Sequence, residues 1–132
     1  MFRISWKQDY GMQFLSLLSI SHGKRLISLS QAAKTLSISQ LYLKKVAADL
    51  KKSGLVASKE GVTGGYSLSR SPKEISMFEI LEALSGQKQM TQCLEAEGLC
   101  PMEKFCIPKN AWKRVNAIMK KSFSQISLGE IV

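Results

Sequence analysis

The sequence lacks most of the patterns on which enzymes and membrane proteins depend. It has one histidine, and its 132 residues show no paired-carboxylate, phosphate-loop or serine-triad pattern. The longest apolar run, Phe14–Ile20, is broken by serines and is much shorter than the roughly 18 residues that cross a bilayer. The first residues do not form a charged-then-apolar leader with a small-residue cleavage site. We therefore expect a non-enzymatic, cytoplasmic protein with no membrane partner.

Cysteine is also scarce, and its placement is uneven. The three cysteines, Cys93, Cys100 and Cys106, all lie in one short segment that contains glycine and proline. Three thiols cannot form a closed set of disulfides, and they are one ligand short of a four-ligand metal site. Because thiols stay reduced in the cytosol, clustered cysteines there favour metal or redox chemistry over structural bridges.

Acidic residues are few, so the chain carries a formal charge of +9. Residues 1–88 hold 13 Lys/Arg against 6 Asp/Glu, a net charge of +7, whereas residues 89–132 hold 6 against 4, a net charge of +2. An excess of positive charge concentrated in one part of a chain indicates a polyanionic partner for that part. A generally basic surface that only keeps the protein soluble would give the same count.

Hydrophobic periodicity predicts five helices and one hairpin. Ser28, Ser39 and Ser76 are placed to cap three of the helices, and the first and last of them are followed by Gln31 and Glu79 in capping boxes. The predicted helices run from about Lys7 to Ser21, from Ser28 to Leu36, from Ser39 to about Ser53, from Ser76 to Ser85 and from about Asn110 to Ser124, and the predicted strands are Leu55–Ser58 and Tyr66–Ser69.

The second and third predicted helices, followed by the hairpin, have the order of a winged helix-turn-helix. Residues 39–52 carry a net charge of +3 on the side opposite their apolar stripe, and polar side chains at the start of such a helix can reach base edges in the major groove. A solvated lysine face on a structural helix is the competing interpretation. The residues predicted to contact DNA are Ser39, Gln40, Tyr42, Lys44, Lys45, Lys52, Lys59, Thr63, Gly64 and Gly65.

The run from Ile38 to Arg70, with its YL…L…GLV…GGY spacing, is followed by ISMFEILEALSG (Ile75–Gly86), the three cysteines and the closing ISLGEIV (Ile126–Val132). In these features the chain resembles the Rrf-two family of winged-helix transcription regulators, which includes the IscR and NsrR types. The resemblance implies a mainly α fold with a small β wing and a long C-terminal helix that forms a homodimer. It also implies a double-stranded, near-palindromic DNA operator.

By the same resemblance, Cys93, Cys100 and Cys106 would ligate a 2Fe–2S or 4Fe–4S iron–sulfur cluster, for which thiolates are the usual ligands. Where the IscR type has a histidine as fourth ligand, this chain has Lys109. The NsrR type can use an aspartate near the N-terminus of the other subunit, and Asp9 is the corresponding candidate here. Two departures are the six residues between the first two cysteines, against the usual five, and Glu60, which stands where the IscR type has a wing arginine.

Other uses of the cysteines remain open. Three thiolates with a carboxylate or water could bind zinc, and two cysteines could pair reversibly as a thiol redox sensor without any metal. The thiols could also be buried and inert, or one could act as a nucleophile if it met His22 in space, although no other feature supports catalysis. A function of another class, a protein-interaction module that binds partners through the last helix and not DNA, is also possible.

The sequence thus predicts a DNA-binding domain at 1–86, a cluster-binding cysteine loop at 87–109 and a dimerisation helix with a C-terminal tail at 110–132. Its predicted function is sequence-specific regulation of transcription, with repression as the expected mode. DNA affinity would respond to an iron–sulfur cluster that senses iron–sulfur status, redox state or nitric oxide.

Overall fold

The computed structural model describes residues 3–86, Leu94 and residues 96–132, and it is mainly helical with one two-stranded antiparallel sheet. This confirms the predicted fold class. In chain order the elements are α1 (Trp6–Ile20), α2 (Leu29–Leu36), α3 (Gln40–Lys52), β1 (Val56–Lys59), β2 (Gly65–Leu68), α4 (Met77–Ser85), α5 (Lys109–Ser124) and α6 (Leu128–Ile131), with short 3₁₀ turns at Pro72–Glu74 and Glu103–Phe105.

Serine N-caps fix where the helices of the winged domain begin. The Ser28 and Ser76 hydroxyls accept hydrogen bonds from the backbone N–H groups of Gln31 and Glu79, whose side chains accept the serine N–H groups in return. These are the predicted capping boxes, and each satisfies two backbone donors that a bare helix start would leave unpaired. A third box, Ser5 with Gln8, begins α1 one residue before the predicted position.

The core lies where α1, α3 and α4 meet. All four members of the predicted α3 stripe are completely buried, as the helical spacing requires for a face that points inward: Leu43, Val46, Ala47 and Leu50. Phe14 and Leu18 of α1 and Ile80 of α4 are buried in the same cluster. Burial of this stripe fixes which side of α3 is left facing solvent.

The hairpin is the predicted wing, but each strand is shifted by one residue at both ends: β1 begins and ends one residue later than predicted, and β2 one residue earlier. Val56 pairs with Leu68 and Lys59 with Gly65 in antiparallel register. Ile27, in the segment before α2, adds a further, single-residue rung on β2: its N–H donates to the Tyr66 carbonyl at 3.0 Å and its carbonyl accepts the Tyr66 N–H at 2.7 Å. This rung was not predicted, and it ties the wing to the body of the domain.

The C-terminal tail returns to the winged domain through α6, a helix that the periodicity did not predict. Leu128 is completely buried in the core, and its N–H donates to the Ile75 carbonyl at 2.8 Å. The Met77 N–H donates to the Ile126 carbonyl at 2.8 Å, so the tail and the start of α4 pair like two short strands. The tail therefore packs with residues of the winged domain as well as following α5.

The longest helix, α5, has no buried residue among those described. Trp112, Val115 and Ile118 recur on one side of it and are all exposed, whereas Met119 and Phe123 are half-buried. On the side toward α4, the Lys120 ammonium lies 5.3 Å from the centre of the Phe78 ring. Helix α5 thus packs on the other described residues along only part of its surface.

No helix in the described parts of the chain is both long enough and apolar enough to cross a membrane.

Candidate nucleic-acid interface and cysteine loop

The first two turns of α3 present a polar, basic surface to solvent. Gln40, Lys44 and Lys45 are exposed, and the Ser39 hydroxyl caps the helix by accepting the Tyr42 N–H at 3.5 Å. The start of α3 also carries the positive end of the helix dipole, which favours a nearby phosphate. This end of the helix therefore combines the groups that bind a nucleic-acid backbone with an amide side chain that can read base edges.

Two predicted contact residues lie apart from this surface. The Tyr42 side chain is half-buried, and its ring packs edge-on against Tyr10 of α1 with 5.5 Å between the ring centroids. Lys52 ends α3 about 18 Å along the axis from Gln40, as the rise of 1.5 Å per residue gives, and it lines a cleft of about 540 Å³ together with Asp49 and other residues. DNA contact by Tyr42 and by Lys52 stays a prediction.

Polar contacts outside the core hold α3 in place. The Lys7 ammonium of α1 pairs with the Asp49 carboxylate, and the Lys51 ammonium donates to the Ser58 hydroxyl of β1 at 2.6 Å. Together with the Tyr10–Tyr42 ring contact, they link the helix both to α1 and to the wing. The exposed face of α3 is thus presented on a helix that is fixed on several sides.

Arg70, just after β2, joins the base of the wing to α4. Its guanidinium donates to the Glu79 carboxylate at 2.6 Å and to the Glu74 carbonyl at 2.8 Å. Partial burial alone would raise the pKa of Glu79, but the Ser76 N–H and the Arg70 guanidinium outweigh it, so that this pKa lies below its usual range. Glu79 is therefore a charged anchor for both the wing and the start of α4.

Steric fit explains the two adjacent glycines at the wing tip. A Cβ on Gly64 would lie 2.1 Å from the Lys59 carbonyl oxygen, and a Cβ on Gly65 would lie 2.8 Å from the Ile27 carbonyl. Both positions need glycine for the turn and for the rung with Ile27, whether or not they touch DNA. Lys59 and Thr63 are exposed beside them, so the predicted DNA contacts at the tip remain available in the structure.

One exposed residue of α3 was missed by the sequence reasoning. Leu41 is 70% exposed in the first turn, and Lys44 and Lys45 follow it at the i+3 and i+4 positions. The spacing along the helix could have identified it. A residue three and four positions before two outward-facing lysines lies on the same face as they do, and therefore outside the buried stripe.

The described part of the cysteine loop is organised by Glu103. Its carboxylate accepts the Gly98 N–H at 2.6 Å and the Lys109 ammonium at 3.0 Å, and these two contacts lower the pKa of Glu103, with the Gly98 hydrogen bond as the larger cause. Lys109, which stands where the IscR type has a histidine, is therefore engaged in an ion pair. Cys100 and Cys106 are free, half-buried thiols in this loop.

Only some of the predicted metal ligands are among the residues that the structure describes. Cys93 lies outside the described residues, and Asp9 is exposed on α1, where its carboxylate accepts the Gln13 side-chain amide at 3.2 Å. Within residues 3–86, Leu94 and 96–132, no three His, Cys, Asp or Glu side chains come together as metal ligands would. The structure thus places Cys100 and Cys106 in one loop and does not unite them with Asp9.

The chain is similar in sequence to two known regulators and in fold to one solved structure. The chain is 33% identical over 113 residues to the HTH-type transcriptional regulator CymR of Bacillus subtilis strain 168, covering 86% of this chain and 82% of the relative. It is 31% identical over 106 residues to the HTH-type transcriptional regulator IscR of Aliivibrio salmonicida, covering 80% of this chain and 62% of the relative. The solved structure of B. subtilis CymR, described as the global cysteine regulator of that organism, superposes with a TM-score of 0.76 at 28% identity, covering 99% of this chain and 96% of that one.

The winged helix, its outward basic helix and these relatives define a helix-turn-helix transcriptional regulator and not an enzyme. The Rrf2 family, described as iron-dependent transcriptional regulators, matches residues 4–132, and the chain belongs to that family.

Proposed function

We propose that this regulator binds a specific DNA operator by placing the first two turns of α3 in the major groove. The observation that carries the proposal is the division of α3 into two faces: four core residues are completely buried, while Gln40, Lys44 and Lys45 are exposed. A helix held this way can enter a groove about 12 Å wide with its polar side facing the DNA. Most of the lysine contacts would be to phosphates, which position the protein, whereas Gln40 and Ser39 would reach base edges.

The wing would touch the DNA beside the major-groove contact. Lys59 supplies a positive charge there, and the turn at Gly64 and Gly65 brings the backbone close to the surface of the tip. Glu60 is exposed next to Lys59, and its carboxylate would repel a nearby phosphate. The wing would therefore contribute less phosphate attraction than a wing with arginine at this position, and α3 would carry the larger share of the affinity.

The functional unit would be a homodimer that forms through α5. The exposed side of this helix carries Trp112, Val115 and Ile118, and such a row of apolar side chains is stabilised when a second copy covers it. A two-fold dimer would present two α3 helices to half-sites about one helical turn, roughly 34 Å, apart. The operator is then expected to be near-palindromic.

The cysteine loop would be the sensing element, with an iron–sulfur cluster as the group it holds. The donor chemistry fits, because Cys100 and Cys106 are free thiols in one loop and Cys93 would supply the third thiolate. Asp9, exposed on α1, could serve as fourth ligand to the partner subunit's loop. A bound cluster would supply redox chemistry, and the ion pair of Glu103 with Lys109 would help to hold the conformation of this loop.

A second candidate, thiol redox sensing without metal, is favoured by one specific contact. Lys109 replaces the histidine ligand of the IscR type and is paired with Glu103, so this side of the loop presents an ion pair and not an open ligand. Two half-buried thiols in the same loop could then respond to oxidants by pairing. The resulting disulfide would change the shape of the loop that precedes α5.

The DNA-binding proposal is tested by selecting duplexes from a randomised pool at low salt and measuring the affinity of the enriched sequence. We expect a near-palindromic sequence with half-sites about one helical turn apart, bound by a dimer at least about a thousandfold more tightly than random duplex. A pool that gives no enrichment, or a protein that binds all duplexes alike, would contradict specific operator recognition.

The choice between cluster and thiols is tested by purification without oxygen, followed by an absorption spectrum and assays of iron and sulfide. A cluster protein should be coloured and should lose iron in Cys100→Ala and Cys106→Ala, and in Asp9→Ala if Asp9 is a ligand. Glu97→Gln, an exposed acid of the same loop, is the control and should keep its iron. Colourless, iron-poor protein whose operator affinity changes with peroxide, but not in Cys100→Ala, would favour the thiol sensor.

A further inference from the structure

Two large apolar side chains are exposed on the elements proposed to meet DNA. Leu41 in the first turn of α3 is 70% exposed, and Val62 at the wing tip is fully exposed. A single exposed leucine is ordinary on a protein surface and by itself carries no function. Leu41 differs in its surroundings, because it lies one residue after Gln40 and one turn before Lys44 and Lys45, within the face that would enter the groove.

Leu41 is not part of the hydrophobic core. The four inward positions of α3 are filled by completely buried residues, and Leu41 lies outside that stripe. An exposed leucine gains free energy only when something apolar covers it, and the lysines beside it select a polyanion as the partner. The partner should therefore be negatively charged overall, to attract the lysines. It should also carry a small apolar group close enough to the first turn of α3 to cover Leu41.

The major groove of DNA contains such a group. Among the four bases only thymine presents an apolar substituent there, the C5-methyl, beside its O4 acceptor. We propose that Leu41 reads thymine in each half-site by covering this methyl group, an inference that rests on the proposed DNA-binding function. Gln40 and the lysines would set the register of α3 on the duplex, and Leu41 would add discrimination of thymine from cytosine at one position.

This contact can be removed from the DNA without changing the protein. Replacing thymine by deoxyuridine deletes the C5-methyl and leaves the hydrogen-bonding groups of the base pair intact. For wild-type protein and the duplex enriched from the randomised pool, one such replacement at the right position should weaken binding about fourfold, as expected for one buried methyl. The symmetric replacement in both half-sites should weaken it about sixteenfold.

The protein variant then closes a double-mutant cycle. Leu41→Ala should bind the thymine and deoxyuridine duplexes equally, with an unchanged melting temperature because the side chain is exposed. Val62→Ala is the matched control: it shortens an exposed apolar residue on the wing, so it should keep the full sensitivity to deoxyuridine. A scan across all thymines of the enriched duplex identifies the contacted position.

The outcomes separate this inference from the proposed function. A wild-type protein that binds the enriched duplex but loses no affinity for any deoxyuridine replacement overturns the role of Leu41 while operator binding stands. Equal loss from deoxyuridine in wild type and Leu41→Ala also overturns it, as does a Leu41→Ala variant that changes dimerisation and not DNA affinity. Failure of the wild type to enrich any duplex overturns both proposals.

Discussion

Helices α3 and α5 are of similar length but are held in opposite ways. Four residues of α3 are completely buried, and side chains of α1 and β1 pair with two of its charged residues, Asp49 and Lys51. Helix α5 has no buried residue among those described, and it leaves Trp112, Val115 and Ile118 exposed. Contacts within one chain are enough to fix α3, whereas α5 has apolar surface that the described residues of the chain do not cover.

On the proposed function, this difference separates the helix that would recognise DNA from the part of the molecule that would regulate binding. Recognition is tightest when the orientation of the helix is fixed before DNA binds. A loosely held helix would have to be ordered on binding, and the entropy lost in ordering it would lower the affinity. Regulation would require a part whose packing can change, and α5, which has no buried residue among those described, is the less tightly packed of the two helices. The C-terminal tail connects the two, since it follows α5 and buries Leu128 in the winged domain.

The largest expected effect tests that connection. Leu128→Ala removes a completely buried leucine from the core, so we expect a loss of about 2–5 kcal/mol in the free energy of unfolding. Ile131→Ala, in the same helix but exposed, should change stability by less than about 0.5 kcal/mol. Denaturant unfolding at one fixed protein concentration measures both, and equal effects would mean that the tail is not part of the core.

The next effect tests whether a second copy covers α5. Ile118→Ser should leave the fold of the monomer intact but weaken the dimer by about a hundredfold or more, because the apolar side chain is removed twice from a two-fold interface. Lys113→Ser, on the opposite side of α5, is the control. Sedimentation over a range of concentrations gives the dissociation constants, and an Ile118→Ser dimer as tight as wild type would place the interface elsewhere.

The smallest effect concerns the anchor at the base of the wing. Because the pKa of folded Glu79 is depressed, its contribution to stability is present above the ordinary glutamate pKa of about 4.3 and is lost as the pH falls through the folded value. Glu79→Gln should therefore be less stable than wild type at neutral pH, by less than about 1 kcal/mol since the pair is partly exposed, and the gap should shrink in acid.

Arg70→Gln complements this measurement by removing the partner and keeping Glu79. In this variant the pKa of folded Glu79 should rise toward the ordinary glutamate value. The pH range between the folded and unfolded pKa values, over which Glu79 makes stability depend on pH, should therefore narrow. A gap between wild type and Glu79→Gln that does not change from neutral to acid pH would show that the carboxylate charge contributes nothing to the folded state.

The same division explains how much the sequence could predict. The α3 stripe, the serine caps and the wing were predictable because helical period, capping boxes and turn glycines are local patterns. The rung between Ile27 and Tyr66 was not predictable. It is formed by a single residue that is distant in sequence from β2, so it leaves no periodic pattern. Helix α6 was missed although Ser127 and Glu130 have capping-box spacing, and the Ser127 N–H does donate to the Glu130 carboxylate.

The candidate site divides in a similar way. The exposed positions of Gln40, Lys44 and Lys45 follow directly from the buried stripe, so periodicity alone could place them. The half-burial of Tyr42 could not be foreseen, because it depends on Tyr10 of another helix. The ion pair that occupies Lys109 is likewise a tertiary contact, and the ligand set of the cysteine loop depends on Cys93, which lies outside the described residues.

The salt dependence of operator binding tests the central claim most directly. With Lys44→Gln/Lys45→Gln, the slope of log affinity against log salt should become shallower by about 0.9 for each phosphate that is no longer neutralised, and affinity at low salt should fall. Lys73→Gln/Lys121→Gln removes the same charge from exposed positions outside α3 and the wing, and it should keep the wild-type slope. Equal slopes for all three proteins would contradict the account, because α3 would then not be the surface that holds the DNA.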